Sequence, residues 1–353
     1  MGALGVCIRD NGIILGSRLR GSDGVRGETM ISSWILNAAV AATCATAVIA
    51  HAASVDDAKT FPNRPMRIIV GPGPDIVGRL VGQKLTEAWG QQVIVETRPG
   101  GGGAIAGEMV AKATPDGYTL LLSSAAYTIN AVMQPGSFDL VKDFSPVVFC
   151  ASAPFVLLVH ASVPAKTVQE LVALAKAKPG SLYYSSSGNG TPPHLAGELF
   201  KSMAGVNIVH VPYKNAAPAL IDVVAGQVQM MFAITSIGLP QAQIGKVRGL
   251  GVSSAQRTPL APALPTLAES GLPGYEVIGW NGLIAPAGTP RAIVAKINAE
   301  ASRALKQPDL MQLLSGAYYD SAAANTPEEF ATYIRQEIAK WAKLVKETGA
   351  KVD

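Results

Sequence analysis

The chain has 353 residues, of which 48% are hydrophobic, 6% aromatic and 15% charged, and this length is enough for two domains with sizeable cores. The formal net charge is +4, and no run of Lys and Arg marks a surface for nucleic acid. Composition therefore favours a two-domain α/β protein and argues against a nucleic-acid-binding one.

The first 52 residues are predicted to be a signal peptide. Residues 31–50 are uncharged and lead into Ala50-His51-Ala52, a small-x-small cleavage pattern with arginines upstream. A transmembrane anchor is the alternative, because the apolar stretch approaches the length that spans a bilayer; the Ala and Thr content and the cleavage pattern favour the signal. Residues 1–29 are unusual for a signal, so Met30 is an alternative start and 1–29 a mis-called extension. We therefore expect a secreted protein.

The first part of the mature chain shows a β-α-β-α-β pattern. Strands are predicted at 67–70, 93–96 and 118–122, and helices at 76–89 and 104–113. Asp75 fits the N-cap of the first helix, and Gly90 fits its end. Alternation of this kind implies a parallel, doubly wound sheet with right-handed crossovers.

The middle of the chain repeats this pattern and predicts a second lobe. Strands are predicted at 155–159, 183–185, 208–211, 230–233 and 247–252, and helices at 167–177, 194–204 and 218–225. Thr167-Val-Gln-Glu170 has the spacing of a capping box, in which each side chain bonds the other residue's backbone N–H. We expect this lobe to span residues 158–278.

The last part of the chain predicts two helices that have no strands of their own to cover. The first starts after Thr289-Pro290, and the second opens with the capping box Thr326-Pro-Glu-Glu329. We expect both helices to pack on the first domain, so that the chain crosses between domains twice. Lobe 1 then comprises 61–157 and 279–353, and ligands of such two-lobed proteins bind at the carboxyl ends of the strands.

Two polar turns of lobe 2 are the most informative features of the sequence. They lie within Tyr183–Leu199 and Val209–Leu220, where a short strand-like run ends in small polar residues and a helix follows. Such turns leave backbone N–H groups free and point the positive end of a helix at one place, which holds an anion without a buried cation. An analogous pair lies in the first part. The sequence therefore predicts a cleft for a small carboxylate, and ligand binding rather than a reaction.

Twelve residues are candidates for contact with that ligand. They are Asp75, Ser123, Ser124, Tyr127, Ser187, Gly188, Asn189, Thr191, His194, Tyr213, Lys214 and Ala216. Ordinary structural roles are the alternatives: Asp75 is also a helix cap, and Ser123 and Ser124 also fit a turn bonded to local backbone. His194 fits a cap or a structural donor equally well, and Lys214 fits a solvated charge.

Eight segments of the chain, taken in order, carry a resemblance to a known family. They are Phe61-Pro-Asn-Arg-Pro-Met-Arg-Ile-Ile-Val70, Glu96-Thr-Arg-Pro-Gly-Gly-Gly-Gly103, Pro115-Asp-Gly-Tyr-Thr119, Gly188-Asn-Gly190 through His194-Leu-Ala-Gly-Glu-Leu-Phe200, His210-Val-Pro-Tyr-Lys214, Gly226-Gln-Val228, Pro273-Gly-Tyr275 and Ala285-Pro-Ala-Gly-Thr-Pro290. Together they resemble the extracytoplasmic substrate-binding receptors of tripartite tricarboxylate transporters, often called Bug receptors, over residues 61–350.

This resemblance implies a type II periplasmic binding protein with two lobes, each a doubly wound, mostly parallel sheet flanked by helices. Such a receptor closes by a hinge motion around a small organic carboxylate and delivers it to the permease subunits of the transporter. In the family, the carboxylate is held largely by backbone N–H groups, small hydroxyls and bridging waters. We accordingly expect a monomeric receptor of the Venus flytrap kind, without catalysis, cofactor or metal.

The chain departs from the family pattern at two places. The family's first cleft turn usually reads Val-Pro-aromatic-x-x-Gly-Gly-x-x-Asp, and here it is the shorter Val70-Gly-Pro-Gly-Pro-Asp75, so either one wall of the cleft or the gene model is truncated. The family often has an acidic residue after Met-Phe in the second lobe, and here Ala233 follows Met231-Phe232. Without that partner for a ligand ammonium, plain carboxylates are favoured over amino acids.

Other functions fit the residues less well. Gly100–Gly103 with Gly107 does not give the Gly-x-Gly-x-x-Gly spacing of a nucleotide-dependent enzyme. A hydrolase needs a nucleophile, a base and an orienting acid, whereas the mature part has three histidines, far apart in sequence, and no Gly-x-Ser-x-Gly elbow. The same spacing argues against a metal site. A receptor that signals to a membrane sensor kinase is an alternative that the sequence does not exclude. Transport and signalling would both use the closed form of the two lobes as the state that the membrane partner recognises.

Overall fold

The computed structural model describes residues 6–9, 12–15, 59–71, 75–98, 100, 103–136 and 138–350. The chain divides into two compact units, 1–60 and 61–353. In the first unit, strands β1 (Val6–Arg9) and β2 (Gly12–Leu15) pair antiparallel, and the predicted cleavage pattern lies outside the described residues. None of the helices in the described part of the chain is long and apolar enough to cross a membrane.

The first half of the second unit is built on three parallel strands with helices between them. Its elements are β3 (Met66–Val70), α1 (Ile76–Trp89), β4 (Val93–Thr97), α2 (Ala104–Ala111), β5 (Thr119–Ser124) and α3 (Ala125–Met133). Helix α1 lies close on the sheet, since a Cβ atom on Gly78 would lie 3.2 Å from Leu122. Gly90 ends α1 with a φ of 65°, where glycine has no Cβ penalty. The predicted β-α-β-α-β pattern is confirmed.

The second half repeats the alternation of strand and helix. Its elements are β6 (Phe144–His160), α4 (Val168–Ala177), β7 (Tyr183–Ser186), α5 (Pro192–Ala204), β8 (Val209–Pro212), α6 (Ala216–Val224), β9 (Met230–Ile234), α7 (Thr235–Gln243) and β10 (Val247–Val252). Thr167 caps α4 by accepting from the Glu170 N–H at 3.1 Å. The Glu170 carboxylate, however, accepts from the Lys166 N–H at 2.6 Å. The capping box predicted there is therefore only half formed.

The chain then returns to the first half and ends in a helical segment. Its elements are β11 (Ile278–Pro286), α8 (Arg291–Leu305), α9 (Pro308–Gly316), β12 (Asp320–Ser321) and α10 (Pro327–Thr348). At α10 the predicted capping box is complete, because Thr326 accepts from the Glu329 N–H at 3.1 Å and Glu329 accepts from the Thr326 N–H at 2.8 Å. Pro327 takes the first helical position, where its missing N–H costs nothing.

One strand, β6, joins the two halves. The strand order is β4-β3-β5-β11-β6-β9-β7-β8, and β10 and β12 also pair with β6. Residues 144–154 of β6 pair with β11, and residues 155–160 pair with β9 and β10. The chain leaves the first half through β6 and returns through β11, and these two strands run antiparallel to their neighbours. The sheet is therefore mixed. Its parallel pairings are β4-β3-β5 and β8-β7-β9. The α/β class is confirmed, whereas the lobe boundaries stay a prediction.

Helix α10 packs on both halves of the unit. Its Phe330 and Ile334 lie in a core with Leu121 of β5, but its Trp341 and Leu344 lie in the core of the second half. With 22 residues, the helix is about 33 Å long, enough to reach across. The expectation that the last helices pack on the first domain stays a prediction, and the C-terminal half of α10 also shares the core of the second half.

Sequence patterns did not predict α3, α7, α9, β11 or the first part of β6. Helix α3 is buried at every position from Ala125 to Ile129, so it lacks the polar face that marks an amphipathic helix. Helix α7 contains Gly238 and Pro240, the two residue types that most disfavour a helix interior. Strand β11 is buried from Gly279 onward and shows no alternation of apolar and polar residues.

Candidate functional site

Three buried hydroxyl groups lie at the start of α3. Ser123 and Ser124 are the last two residues of β5, whereas the strand predicted from the sequence ended at residue 122. Tyr127 lies in the first turn of α3. Among the described residues, the Oγ atoms of both serines and the Tyr127 hydroxyl have no hydrogen-bond partner. Burial raises the pKa of Tyr127 well above its usual value, so the phenol stays protonated and can donate. A buried hydroxyl without a partner costs about 1–3 kcal/mol, which a ligand oxygen at this place would recover.

The N-terminus of α3 has no side-chain cap within the described part of the chain. Ser124 occupies the N-cap position with an extended backbone (φ −149°, ψ 173°), yet its hydroxyl bonds no helix N–H. Ala125, Ala126 and Tyr127 each carry an N–H, and the first turn of a helix has no internal partner for these groups. The positive end of α3 and three hydroxyls therefore lie close together in the chain at the end of β5, a combination that suits an anion.

The Tyr127 hydroxyl reaches back to the carboxyl end of β3. A Cβ atom on Gly71 would lie 2.1 Å from the Tyr127 hydroxyl oxygen and 3.1 Å from its Cζ, so a side chain does not fit at Gly71 without displacing the phenol. Gly71 opens the shortened turn after Val70. Since β3 and β5 are parallel neighbours, Tyr127 lies where their carboxyl ends meet, the edge at which α/β sheets bind ligands.

Asp75 holds the start of α1 by an ion pair instead of a capping bond. It is the N-cap residue, but its backbone (φ −94°, ψ 3°) is not extended and its side chain accepts no helix N–H. Its carboxylate accepts from Arg79 Nε at 2.8 Å and from the Thr97 hydroxyl at 3.4 Å. The Arg79 hydrogen bond holds the pKa of Asp75 below its usual value. The capping bond predicted for Asp75 is therefore wrong, and its contact with a ligand stays a prediction.

The polar turn between β7 and α5 is closed by its own side chains. Gly188 and Gly190 have φ values of 124° and 70°, in the left-handed region that glycine adopts at low cost. The Gly188 N–H donates to Ser186 Oγ at 3.1 Å, and the Gly190 N–H donates to His194 Nδ1 at 3.1 Å. The Thr191 hydroxyl donates to the Gly188 carbonyl at 2.6 Å. The expectation that this turn leaves its N–H groups free is therefore wrong for Gly188 and Gly190.

Prolines weaken the helix ends of this half as anion sites. Helix α5 begins with Pro192 and Pro193, which carry no N–H. In α6, the Asn215 side chain already accepts one helix N–H, and Pro218 removes another donor. Polar side chains of the turn, rather than amides of the helix start, are thus what this half offers a ligand. Those that are half-buried are Ser187, Asn189 and Thr191.

The second polar turn offers less to a ligand than its sequence indicates. The Tyr213 hydroxyl donates to the Asp222 carboxylate at 2.5 Å, and burial, followed by this bond, raises the pKa of Tyr213 to about 12. Lys214 is exposed, and Ala216 is the half-buried first residue of α6. The phenol of Tyr213 is thus engaged within its own half, and ligand contact by these three residues stays a prediction.

His194 and His210 form a stacked pair next to the first polar turn. Their ring centroids are 4.2 Å apart with an interplanar angle of 18°, and His194 is 4% exposed. His210, which the sequence did not mark as a candidate, bonds Ser186 Oγ through Nε2 at 2.7 Å. Burial lowers the pKa of His210 to about 3, and the charges of His194 and Lys201 act in the same direction. The sequence feature that could have identified His210 as a candidate is its position as the first residue of the segment His210–Lys214, which resembles the family.

The two candidate regions lie on helices that contact each other. Ile129 of α3 lies in the core of the second half together with Leu195 and Phe200 of α5. Ile129 and Leu195 are each about one turn into their helices, and the two helices contact each other. The polar groups of α3 and those of the turn before α5 therefore lie on helices of the two halves that share one core.

Two arrangements that resemble reactive sites are buried and already engaged. Ser186 and His210 form a Ser–His pair, but Ser186 is fully buried and its oxygen accepts from the Gly188 N–H. Burial raises the pKa of the Cys150 thiol to about 12, which removes its nucleophilic thiolate form at neutral pH. No group of three or more His, Cys, Asp or Glu side chains in the described ranges is placed to hold a metal ion.

Comparison with known proteins identifies the family. The family described as tripartite tricarboxylate transporter family receptor matches residues 77–350. Protein BugT of Bordetella pertussis is 33% identical over 315 residues, which are 87% of this chain and 95% of that protein. The structure of R. palustris Rpa4515 with adipate is 33% identical with a TM-score of 0.78, and covers 83% of this chain and 100% of its own. MatC from Rhodopseudomonas palustris with bound malate is 31% identical with a TM-score of 0.74, and covers 81% of this chain and 100% of its own.

These likenesses extend over nearly all of the second unit, and they confirm the two-lobed periplasmic binding protein fold. The chain therefore belongs to the tripartite tricarboxylate transporter receptor family, which includes the Bug receptors, and it is a substrate-binding receptor rather than an enzyme.

Proposed function

We propose that this protein is a periplasmic receptor that binds a small organic carboxylate between its two halves and delivers it to the membrane subunits of a tripartite tricarboxylate transporter. The observation that carries the proposal is that three buried hydroxyls without partners among the described residues flank the uncapped N-terminus of α3. These groups donate hydrogen bonds without carrying a full charge, so they suit an oxygen-rich anion. Receptors of this family are periplasmic, and the predicted signal peptide supplies a route there.

The ligand is proposed to lie between the start of α3 and the turn before α5. Ser123, Ser124 and Tyr127 supply hydrogen bonds from the first half, and the turn side chain Ser187 supplies one from the second; the Thr191 hydroxyl is already used by the Gly188 carbonyl. A hydrogen bond to a charged group contributes about 1.5–3 kcal/mol, so a few such bonds give a useful affinity. Because contacts come from both halves, the ligand favours the arrangement in which the halves are closest.

The charge of the candidate residues favours carboxylates without an amino group. Asp75 is the one acid among them, and it is paired with Arg79. Ala233, fully buried, stands after Met231-Phe232, so no carboxylate is present there to hold a ligand ammonium. Adipate and malate, the ligands of two similar structures, are dicarboxylates without an amino group, which supports this class for the present chain.

A thermal-unfolding panel on the purified protein tests the proposal. The panel contains adipate, malate, succinate and citrate, with glutamate and aspartate as matched acids that carry an amino group. A ligand at about a hundred times its dissociation constant adds about 2.7 kcal/mol to stability, so the Tm should rise by several degrees. We expect a rise with at least one plain dicarboxylate and none with the amino acids.

Two outcomes contradict the proposal. No rise with any acid, for a protein that unfolds cooperatively, would contradict carboxylate binding. A rise confined to glutamate or aspartate would contradict the ligand class. Delivery to a transporter, as opposed to signalling through a sensor kinase, is tested by uptake of the labelled acid, which should be lost in cells that lack this protein.

A further inference from the structure

Three aromatic rings form a continuous stack in the second half. The ring centroids of Tyr184 and His210 are 4.7 Å apart, and those of His210 and His194 are 4.2 Å apart. Tyr184 and His210 are register partners on the parallel strands β7 and β8, while His194 lies in the first turn of α5. Since Tyr184 is fully buried and His194 is 4% exposed, the stack is a fixed part of the core beside the polar turn.

Both imidazoles contact the polar turn, and His194 does so through a lone pair. A backbone N–H can only donate, so the bond from the Gly190 N–H to His194 at 3.1 Å requires an Nδ1 without a proton. Ser186 Oγ bonds His210 Nε2 at 2.7 Å and also accepts from the Gly188 N–H at 3.1 Å. Two amides of the turn are therefore fixed by histidines, one directly and one through Ser186.

We propose that His194 and His210 are positioning residues for this turn, and that the turn keeps its binding shape only while the His194 imidazole is neutral. Protonation of His194 at Nδ1 replaces an acceptor by a donor that faces the Gly190 N–H, and that bond is lost. His210 can bond Ser186 in either tautomer, because the Ser186 hydroxyl can also donate to the Gly188 carbonyl at 3.1 Å. The statement that this shape matters for ligand binding rests on the proposed function. The dependence of the turn's hydrogen bonds on His194 does not rest on it.

The charged groups around the stack do not favour protonation. Glu198 on α5 accepts from the Tyr184 hydroxyl at 2.7 Å and from Lys201 Nζ at 2.8 Å, so its negative charge is already engaged. Lys201 adds a positive charge, and together with burial and His194 it opposes a cation on His210. Further titratable side chains on the described elements nearby include Tyr275, which donates to a backbone carbonyl of α5, and Tyr213, which donates to Asp222. Acid should therefore loosen the turn rather than strengthen it.

Hydrogen exchange of the turn amides tests this without any ligand. Protection of the peptide covering residues 186–194 is measured by mass spectrometry on the purified protein from pH 8 down to pH 5, after correction for intrinsic exchange rates. We expect protection in the wild type to fall by about fivefold, the factor that corresponds to loss of the one hydrogen bond from the Gly190 N–H to His194. His160→Asn, which replaces a histidine at the end of β6 and outside the stack, is the control. Its protection should depend on pH as that of the wild type does.

Two substitutions of His194 separate the acceptor from the ring. His194→Asn places an acceptor oxygen near the position of Nδ1 and does not titrate, so the turn should stay protected across the pH range. His194→Phe keeps a stacked ring without an acceptor, so protection should be low at every pH. Flat wild-type protection, or equal behaviour of the two variants, would overturn the proposal. The wild-type series needs no substitution, so it decides the matter even if His194→Phe does not fold.

Binding of adipate at pH 5.5 and 7.5 separates this inference from the proposed function. If the turn loosens in acid but neither adipate nor any other acid of the panel binds, the positioning role stands and the carboxylate receptor does not. If an acid binds with the same Kd at both pH values and turn exchange does not change, the positioning role fails and the receptor stands.

Discussion

Trp280 on β11 donates its indole N–H to the Glu337 carboxylate on α10 at 3.3 Å, and both side chains are buried. Glu337 also pairs with Lys340, one turn further along the helix, at 3.2 Å. This bond joins the strand by which the chain re-enters the first half to the helix that packs on both halves. A buried carboxylate is tolerated here because two donors satisfy it.

The contribution of this bond to stability can be measured with two substitutions of Glu337. Glu337→Ala leaves the buried indole N–H without a partner, so it should lower the free energy of unfolding by about 1–3 kcal/mol. Glu337→Gln keeps a carbonyl oxygen for Trp280 and loses mainly the Lys340 pair, a loss of at most about 1 kcal/mol. Urea denaturation gives both values. Equal losses in the two variants would show that the Trp280 bond contributes nothing.

Replacing Ser123 and Ser124 together by Ala should weaken binding of the best acid in the panel without destabilising the empty protein. The variant removes hydroxyls that no described residue satisfies, and each lost bond to a carboxylate is worth about 1.5–3 kcal/mol. The Kd, measured by titration calorimetry, should therefore rise by at least about tenfold. Ser302→Ala is the matched control, because it removes a similarly unpartnered hydroxyl from α8, which carries no candidate residue. An unchanged Kd in the double variant would exclude both serines from the site.

The contact between Gly71 and Tyr127 predicts a compensating pair of substitutions. Gly71→Ala would place a Cβ atom 2.1 Å from the phenol oxygen, and displacing the ring should cost about 1–3 kcal/mol. Tyr127→Phe removes that oxygen and leaves Cζ as the nearest ring atom at 3.1 Å, so the double variant should recover most of the loss. A double-mutant cycle on free energies of unfolding measures the coupling. Strictly additive effects would mean that the two residues do not meet.

Helix and strand positions could be predicted where the signal is local. The bounds of α1 follow from its apolar stripe, which includes Val77, Val81 and Leu85, and from Gly90 as its end, and all of these lie in one short window of sequence. Strand β11 is covered on both faces, so it has no alternation to detect. The packing of Trp341 in the second half depends on the path of α10 across the molecule, which no periodicity reveals.

The candidate site was predictable in place but not in chemistry. Sequence placed Ser123 and Ser124 near a strand end, while their lack of partners depends on burial by other elements. Loss of donors at Pro192 and Pro193 is visible in the sequence and could have been anticipated. The role of His210 could not have been anticipated, because it depends on the register of two strands that are separated in sequence by a whole helix.

His210 predicts how stability depends on pH. Burial lowers its pKa to about 3, against about 6.5 in an unfolded chain. Below about pH 6.5 the unfolded state binds a proton at this imidazole, whereas the folded state binds it only near pH 3. The contribution of the neutral imidazole to the free energy of unfolding is therefore fully present above about pH 6.5 and is lost as the pH falls from there towards about pH 3. His210→Gln offers Ser186 an acceptor and does not titrate, so its Tm should fall less than that of the wild type between pH 7 and 4. His160→Gln, a change outside the ring stack, should follow the wild type. Parallel loss of Tm in wild type and His210→Gln would show that the folded protein does not keep this imidazole neutral.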